Sequence, residues 1–233
     1  MMIPTRPTYH HGDLRNSLIR AALALVAERG VEGFSLREAA RTVGVSASAC
    51  YRHFSDREEL LAAVAHEGLD TLAEEMRAAA AKHEGPGPFD AVQRFWDYAT
   101  AYLHFAQAHP AHFRVMHAIP KSEHSRDLML PRSPAVLAQS AMEALVAAGV
   151  VAPDVAGRAL LAIWTSVHGL AQLTVAGQLP LDDELTLEAA LDAALRTAML
   201  GAGVDAGLLP PEHPLPGGVC PGLAELVREA SQT

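Results

Sequence analysis

The sequence has little of what usually announces an active site. Its two cysteines, Cys50 and Cys220, lie far apart and match no zinc-ligand spacing. Aromatic residues make up 5% of the chain. No apolar run approaches the length that crosses a bilayer; the longest, Ala144 to Ala152, suits a core helix. The N-terminal "MMIPTRPTYHHGD" lacks the apolar stretch of a secretory signal. Neither GxxxxGK nor HExxH occurs, and "GVSAS" lacks the final glycine of GxSxG. Ser, His and Asp residues are present without a spacing that joins them. The expectation is a reduced, cytoplasmic protein that is not an enzyme, carries no metal and needs no cofactor.

What the chain does hold is helix-forming material. Half of its residues are hydrophobic, and alanine, which loses no side-chain entropy in a helix, dominates among them. Charge is divided unevenly. Residues 1–60 carry eight Arg against seven Asp or Glu, a net of +1; the remainder carries ten basic against twenty acidic residues, a net of −10. An acidic body repels DNA while a local arginine set attracts it, which favours docking through one end.

Leu14, Leu18, Ala21 and Leu25 keep helical spacing from Asp13 to Glu28, and "RGVEGF" ends it. Ser35 stands three residues before Glu38, the capping-box spacing, and opens a helix to about Val43. Gly44 supplies a turn, and Ser46 caps a further helix that holds Cys50 and Phe54 inward at i and i+4. A second box, Ser55 to Glu58, opens a long helix to about Lys82, closed by "EGPGP". Further helices are expected at about 89–108, 111–117, up to Gly149, 154–176 and 183–200, with "IPKSEHSRDLMLPRSP" partly irregular. From Gly201, "LLPPEHPLPGG" has a linker composition, followed by a small amphipathic segment around Leu223, Leu226 and Val227. There is no strand pattern and no repeat, so the expected class is all-α.

Three helices in the first fifty-odd residues, the last two joined by a short turn, make a helix-turn-helix. One helix fits the major groove while its neighbour braces it on the backbone. The residues are more specific than the pattern. Phe34-Ser35, Gly44-Val45-Ser46, Tyr51-Arg52-His53-Phe54 and Arg57 resemble the DNA-binding domain of the TetR (tetracycline repressor-like) family of bacterial regulators over about residues 12–65. Cys50 departs from the leucine usual there, but it is apolar and expected to pack.

The resemblance implies that Tyr51 bonds a phosphate, with Arg57, Ser35 and His53 also near phosphates. Arg37 and Arg52 lie where side chains reach base edges; an arginine there pairs bidentately with guanine, and phosphate binding alone is the alternative. Ser46, Ala47, Ser48 and Ala49 open the helix that enters the groove. The alanines permit close approach and touch thymine methyls, and Ser48 bonds a base or a phosphate. Arg6, His10 and His11 form either a minor-groove arm or a plain tail.

"IWTSVHGLAQLTVAGQL" resembles the Trp…His-Gly stretch of one subset of TetR-like ligand-binding domains. Trp164 and His168 share a helix face at i and i+4. The resemblance implies a small-molecule cavity in this region, with Phe95, Trp96, Tyr102, Phe105, Phe113, Met116, His117, Trp164 and His168 as candidate lining residues; core packing is the alternative for each. An apolar lining with a few polar tips suits a small hydrophobic effector. His104, His109, His112, His117 and His124 are dense, but no pair is spaced i, i+4, and solvated or core histidines explain them better than a metal.

The resemblance also implies a homodimer through the last two long helices and a near-palindromic double-stranded DNA operator. The implied domains are a DNA-binding domain (1–58), a helical ligand-binding and dimerisation domain (59–202), and a Pro/Gly-rich tail (203–233). A ligand-responsive repressor is the leading function. An activator of the same fold, or a small-molecule-binding module with vestigial DNA binding, is the alternative.

Overall fold

The computed structural model describes residues 11–118, 133–179 and 186–213. Within them every element is helical. The positions Arg6, His10, His124, Cys220 and the segment around Leu223 lie outside the described residues. The chain divides into two compact units, residues 1–69 with 109–128, and residues 70–108 with 129–233.

In the first unit, α1 (His11–Arg29) leads through a short 3₁₀ turn (Val31–Gly33) to α2 (Leu36–Val43), α3 (Ala47–Cys50) and the start of α4 (Arg57–Ala80); α6 (Pro110–Ala118) completes it. The apolar stripe of α1 is buried: Leu14, Leu18, Ala21, Ala22, Leu25 and Val26. Phe54, Leu60, Val64 and Phe113 are buried in the same unit. Gly68 on α4 is there for contact: a Cβ would stand 2.8 Å from Met116 Sδ and 3.1 Å from His112 Cβ on α6.

The second unit contains the rest of α4 from Asp70, then α5 (Pro88–Ala108), α7 (Pro134–Ala147), α8 (Pro153–Val175) and α9 (Leu187–Gly201), ending in a 3₁₀ turn (Ala206–Leu208). Proline opens α5, α6, α7 and α8. Its missing N–H costs nothing in a first turn, and its fixed φ already suits a helix. α5 packs on α7 and α8, and α8 on α9. Phe105, Leu103, Leu145, Leu195 and Met199 form the core.

Packing continues past α9. Val204 and Leu209 are buried, Gln93 donates to the Leu208 carbonyl at 3.2 Å, and Arg196 donates to that of Pro210 at 2.8 Å. Arg196 also pairs with buried Asp192 at 3.1 Å, so the Gly201–Pro210 stretch, a linker by composition, is held by the body.

Two starts differ from their sequence expectations. α9 begins at Leu187, behind a Thr186 cap whose hydroxyl accepts from Ala189 N–H, and not at about 183. α4 is capped by Asp56, whose carboxylate accepts from Glu59 N–H at 2.7 Å, while Glu59 accepts from Ser55 N–H at 2.6 Å. The expected Ser55–Glu58 box is displaced by one residue, because Asp56 and Glu59 carry the same spacing.

Candidate nucleic-acid interface and ligand cavity

The helix-turn-helix is set by local chemistry. Ser35 Oγ accepts from Glu38 N–H at 3.3 Å, and Glu38 Oε2 accepts from Ser35 N–H at 3.0 Å, the full capping box. The Ser35 hydroxyl and the nearby Arg29 guanidinium hold the Glu38 carboxyl below its ordinary pKa. α2 ends at Gly44, whose φ of 77° is left-handed and strained for any residue with a Cβ. Ser46 Oγ then caps α3 by accepting from Ala49 N–H at 3.2 Å.

α3 is a single turn, prolonged by the turn at Tyr51–His53. Its inner side is anchored by Cys50 and Phe54, both fully buried, with Cys50 Sγ 3.7 Å from the Leu36 carbonyl. Cys50 therefore does the packing expected of a leucine, and burial raises its thiol pKa. Arg15 lies over the Phe54 ring at 5.2 Å.

With the inner side committed, the outer side is polar and cationic. Arg37, Ser48, Tyr51 and Arg52 are exposed; Ala47, Ala49 and His53 are half-buried. Arg41, one helical turn after Arg37 and also exposed, was not among the sequence candidates. Its i, i+4 spacing from Arg37, opposite buried Leu36, Ala39 and Ala40, was the available signal.

Three candidates, Ser35, Ser46 and Arg57, have their polar groups engaged within the fold. The Ser35 and Ser46 hydroxyls serve as caps. Arg57 is turned inward: Nε donates to the Phe34 carbonyl at 3.3 Å, Nη2 donates to that of Val31, and the guanidinium lies 5.3 Å over the Phe34 ring. Arg57 clamps the loop before α2 onto the first turn of α4, where the sequence had suggested a phosphate contact.

In the second unit a slot of about 70 Å³ lies among α4, α5, α7 and α8. Of the sequence candidates, Phe95, Tyr102, Trp164 and His168 line it. The sequence reading missed Met76, Tyr98, Pro134, Leu160, Ile163 and Val167. The i, i+3, i+4 recurrence of Leu160, Ile163, Val167 and of Tyr98 with Tyr102 marks a shared face, without saying that the face is a cavity wall.

Five candidates lie elsewhere. Phe105 is core, and Trp96 is buried 5.9 Å beneath the Arg196 guanidinium. Phe113, Met116 and His117 belong to the first unit, on α6. His117 Nδ1–H donates to the Phe113 carbonyl at 2.8 Å, and its ring packs on that of Phe113 at 4.3 Å.

The slot is apolar except at one corner. Tyr102 Oη is 2.8 Å from His168 Nδ1, and Trp164 stacks on the His168 ring at 5.3 Å and 4°. Gln172 Nε2 stands 3.3 Å from His168 Nε2. Burial pushes the Tyr102 phenol well above its ordinary pKa, so it is neutral at physiological pH. Among the described residues no group of His, Cys, Asp and Glu is placed to hold a metal ion, and no helix is long and apolar enough to cross a membrane.

Residues 18–64 match the model of the bacterial regulatory proteins of the tetR family, and residues 96–198 that of the tetracyclin repressor-like C-terminal domain. The chain belongs to the tetR family. TetR-family relatives include the HTH-type transcriptional repressor AcnR of Corynebacterium diphtheriae, 40% identical over 60 residues, 26% of this chain and 32% of AcnR. The class A tetracycline repressor from transposon 1721, in Escherichia coli, is 39% identical over 80 residues, 34% of this chain and 33% of the repressor. The chain thus spans about a third of the length of these curated relatives. A solved structure of a protein of unknown function from Rhodococcus sp. RHA1 is 31% identical, with a TM-score of 0.63, and the match covers 84% of this chain and 99% of that one. A tetR-family regulatory protein from Rhodococcus RHA1 has the same fold at 21% identity, with a TM-score of 0.62, 82% of this chain and 98% of that one being covered.

Proposed function

We propose that the protein is a homodimeric transcriptional repressor that leaves its operator when a small hydrophobic effector enters the slot lined by Tyr102 and His168. The observation that carries the reading is the sidedness of the helix-turn-helix. Cys50, Phe54, Leu36, Ala39 and Ala40 are buried, while Arg37, Arg41, Tyr51 and Arg52 are all exposed. Exposed cations and a phenolic hydroxyl, on α2 and in the turn after α3, match phosphates and guanine edges. The repressor sign follows the names of the two curated relatives.

Dimerisation through α8 and α9 is supported by large apolar side chains exposed on them: Leu161, Trp164 and Leu173 on α8 and Leu200 on α9. A two-fold dimer sets its reading helices about 34–36 Å apart, one DNA turn. An effector acts by favouring dimers whose half-site spacing no longer fits, which requires unequal affinity for the two states.

The test is selection from a random DNA pool, followed by fluorescence anisotropy across a salt series. The expected result is a near-palindrome whose affinity falls by about 10³–10⁵ between 50 and 200 mM salt. Arg41→Ala is expected to weaken every sequence alike and reduce the salt slope by about 1.8, about 0.9 for each protomer of the dimer. Arg52→Ala is expected to cost about 1–3 kcal/mol per half-site of the selected sequence and less on scrambled DNA. No enrichment, with weak binding independent of sequence, rejects the reading.

A further inference from the structure

A second space adjoins the slot on the same unit. A groove of about 340 Å³ follows the seam of α7 and α8, with Met142, Glu143, Val146, Pro153, Gly157 and Leu160 in its lining. Leu160 lines both spaces, and the slot residue Ala138 is followed directly by the groove residue Gln139. We propose that slot and groove form one elongated site for an unbranched alkyl chain with a positively charged head, the chain end in the slot and the head beside Glu143. This rests on the reading of the slot as the effector site and names the ligand class.

The shape follows from the two helices. Between Trp164 at the slot and Pro153 at the far end of the groove, α8 advances about 16 Å, at about 1.5 Å per residue. Along this path the groove floor is apolar: Met142 is buried, and Val146 and Leu160 are half-buried. The slot itself, of about 70 Å³, is smaller than the roughly 150 Å³ of a cavity that binds benzene. The end of a linear chain fits such a space better than a ring does.

Gly157 keeps the groove open. It stands inside α8, where only proline is a poorer helix former than glycine. A Cβ there would meet nothing within 4 Å among the described residues, so no close helix contact accounts for the glycine. Because Gly157 lines the groove, any larger side chain takes up its space.

Charge selects the head. Among the described residues, Glu143 is the one Asp, Glu, Lys or Arg that lines either space. It is exposed, with Oε1 3.0 Å from Gln139 Nε2, and an ionised carboxylate only accepts hydrogen bonds. Asp154 and Arg158, both exposed on α8, do not line the groove and are of opposite sign. The net charge of −10 beyond residue 60 draws cations to this body. An exposed ion pair is weak, so the chain supplies most of the affinity and the head a preference.

The experiment titrates the full-length protein with straight-chain alcohols from butanol to decanol, and with octylammonium and octanoate. Binding is followed by the ¹⁵N-indole signal of Trp164, assigned by its loss in Trp164→Phe. The expected result is an affinity that rises about two- to fourfold per added methylene up to decanol. Octylammonium is expected to bind about two- to fivefold more tightly than octanoate, and Glu143→Gln to remove that preference while leaving the alcohol series unchanged. Gly157→Leu is expected to abolish the gain of the longer alcohols and to leave butanol binding as it was. Leucine is the better helix former, so this variant keeps its fold.

A gain that stops at pentanol in the parent protein overturns the proposal and leaves the slot as an effector site. An alcohol series unchanged by Gly157→Leu overturns it as well; if that variant also lowers the dimer fraction in sedimentation, the groove is a contact between copies. Octanoate binding as tightly as octylammonium overturns it through the head. If no alcohol moves the Trp164 signal of the folded protein, the proposal and the effector-site reading fail together.

Discussion

Arg57 Nε donates to the Phe34 carbonyl at 3.3 Å, and the same guanidinium covers the Phe34 ring at 5.3 Å. One side chain on α4 thereby holds both the backbone and the ring of the residue that precedes the α2 cap. Position Ser35 and the helix-turn-helix follows, since the cap sets where α2 begins.

Arg57→Ala is therefore expected to act mainly on the fold. Loss of the bonds to Val31 and Phe34 costs about 1–3 kcal/mol, read as a lower midpoint in denaturant unfolding. DNA affinity falls through a misplaced α2, but the salt slope is unchanged, because the group releases no counterion from DNA. A slope reduced by about 1.8 for the dimer, with normal stability, assigns Arg57 to phosphate.

Burial depresses the pKa of His112 and of His117; Glu67, 3.9 Å from His112 Nε2, and the Phe113 carbonyl act against it without reversing it. Both rings are neutral when folded at pH values where the unfolded chain already binds a proton. The unfolded state then binds more protons, so stability is lost as pH falls below the ordinary histidine value of about 6.5. Unfolding midpoints at pH 8 and pH 5.5 are expected to differ, and His112→Gln with His117→Gln is expected to narrow the gap. An unchanged gap places the pH dependence elsewhere.

Gly68 on α4 stands directly against Met116 and His112 on α6. Gly68→Val brings a Cβ against Met116 Sδ and His112 Cβ. The sulfur can swing aside; the His112 Cβ is fixed to its backbone. The expected cost is about 1–3 kcal/mol, seen as a lowered thermal midpoint, although valine is the better helix former. A midpoint at or above the parent's means that α6 shifts without cost.

Much of this was legible in the chain because it is local. Ser35 and Glu38 find each other across three residues, and Gly44 provides the left-handed turn between α2 and α3. Prolines at 88, 110, 134 and 153 each begin a helix. Where two local solutions coexist, the spacing could not choose. Ser55–Glu58 and Asp56–Glu59 are equally spaced, and the structure uses the second.

The cavity residues were only half legible, for a different reason. His117 and His168 each sit on a helix among apolar neighbours, yet one packs on Phe113 in the first unit and the other meets Tyr102 in the slot. Trp164 and His168 were placed on one face by i, i+4 spacing, and they stack. Tyr102 and His168 are 66 positions apart, and no periodicity relates them.

The sequence by itself determined the helices, their caps and turns, and the buried and exposed sides of the helix-turn-helix. Those depend on backbone hydrogen bonds and side-chain periodicities that span a few residues. Only the tertiary structure decided that Arg57 clamps Phe34, that α6 leaves its aromatic candidates outside the slot, and that Tyr102, His168 and Gln172 form one chain of hydrogen bonds. These contacts join residues brought together when apolar faces exclude water, and such packing constrains the size and polarity of a face far more than the identity of its partner.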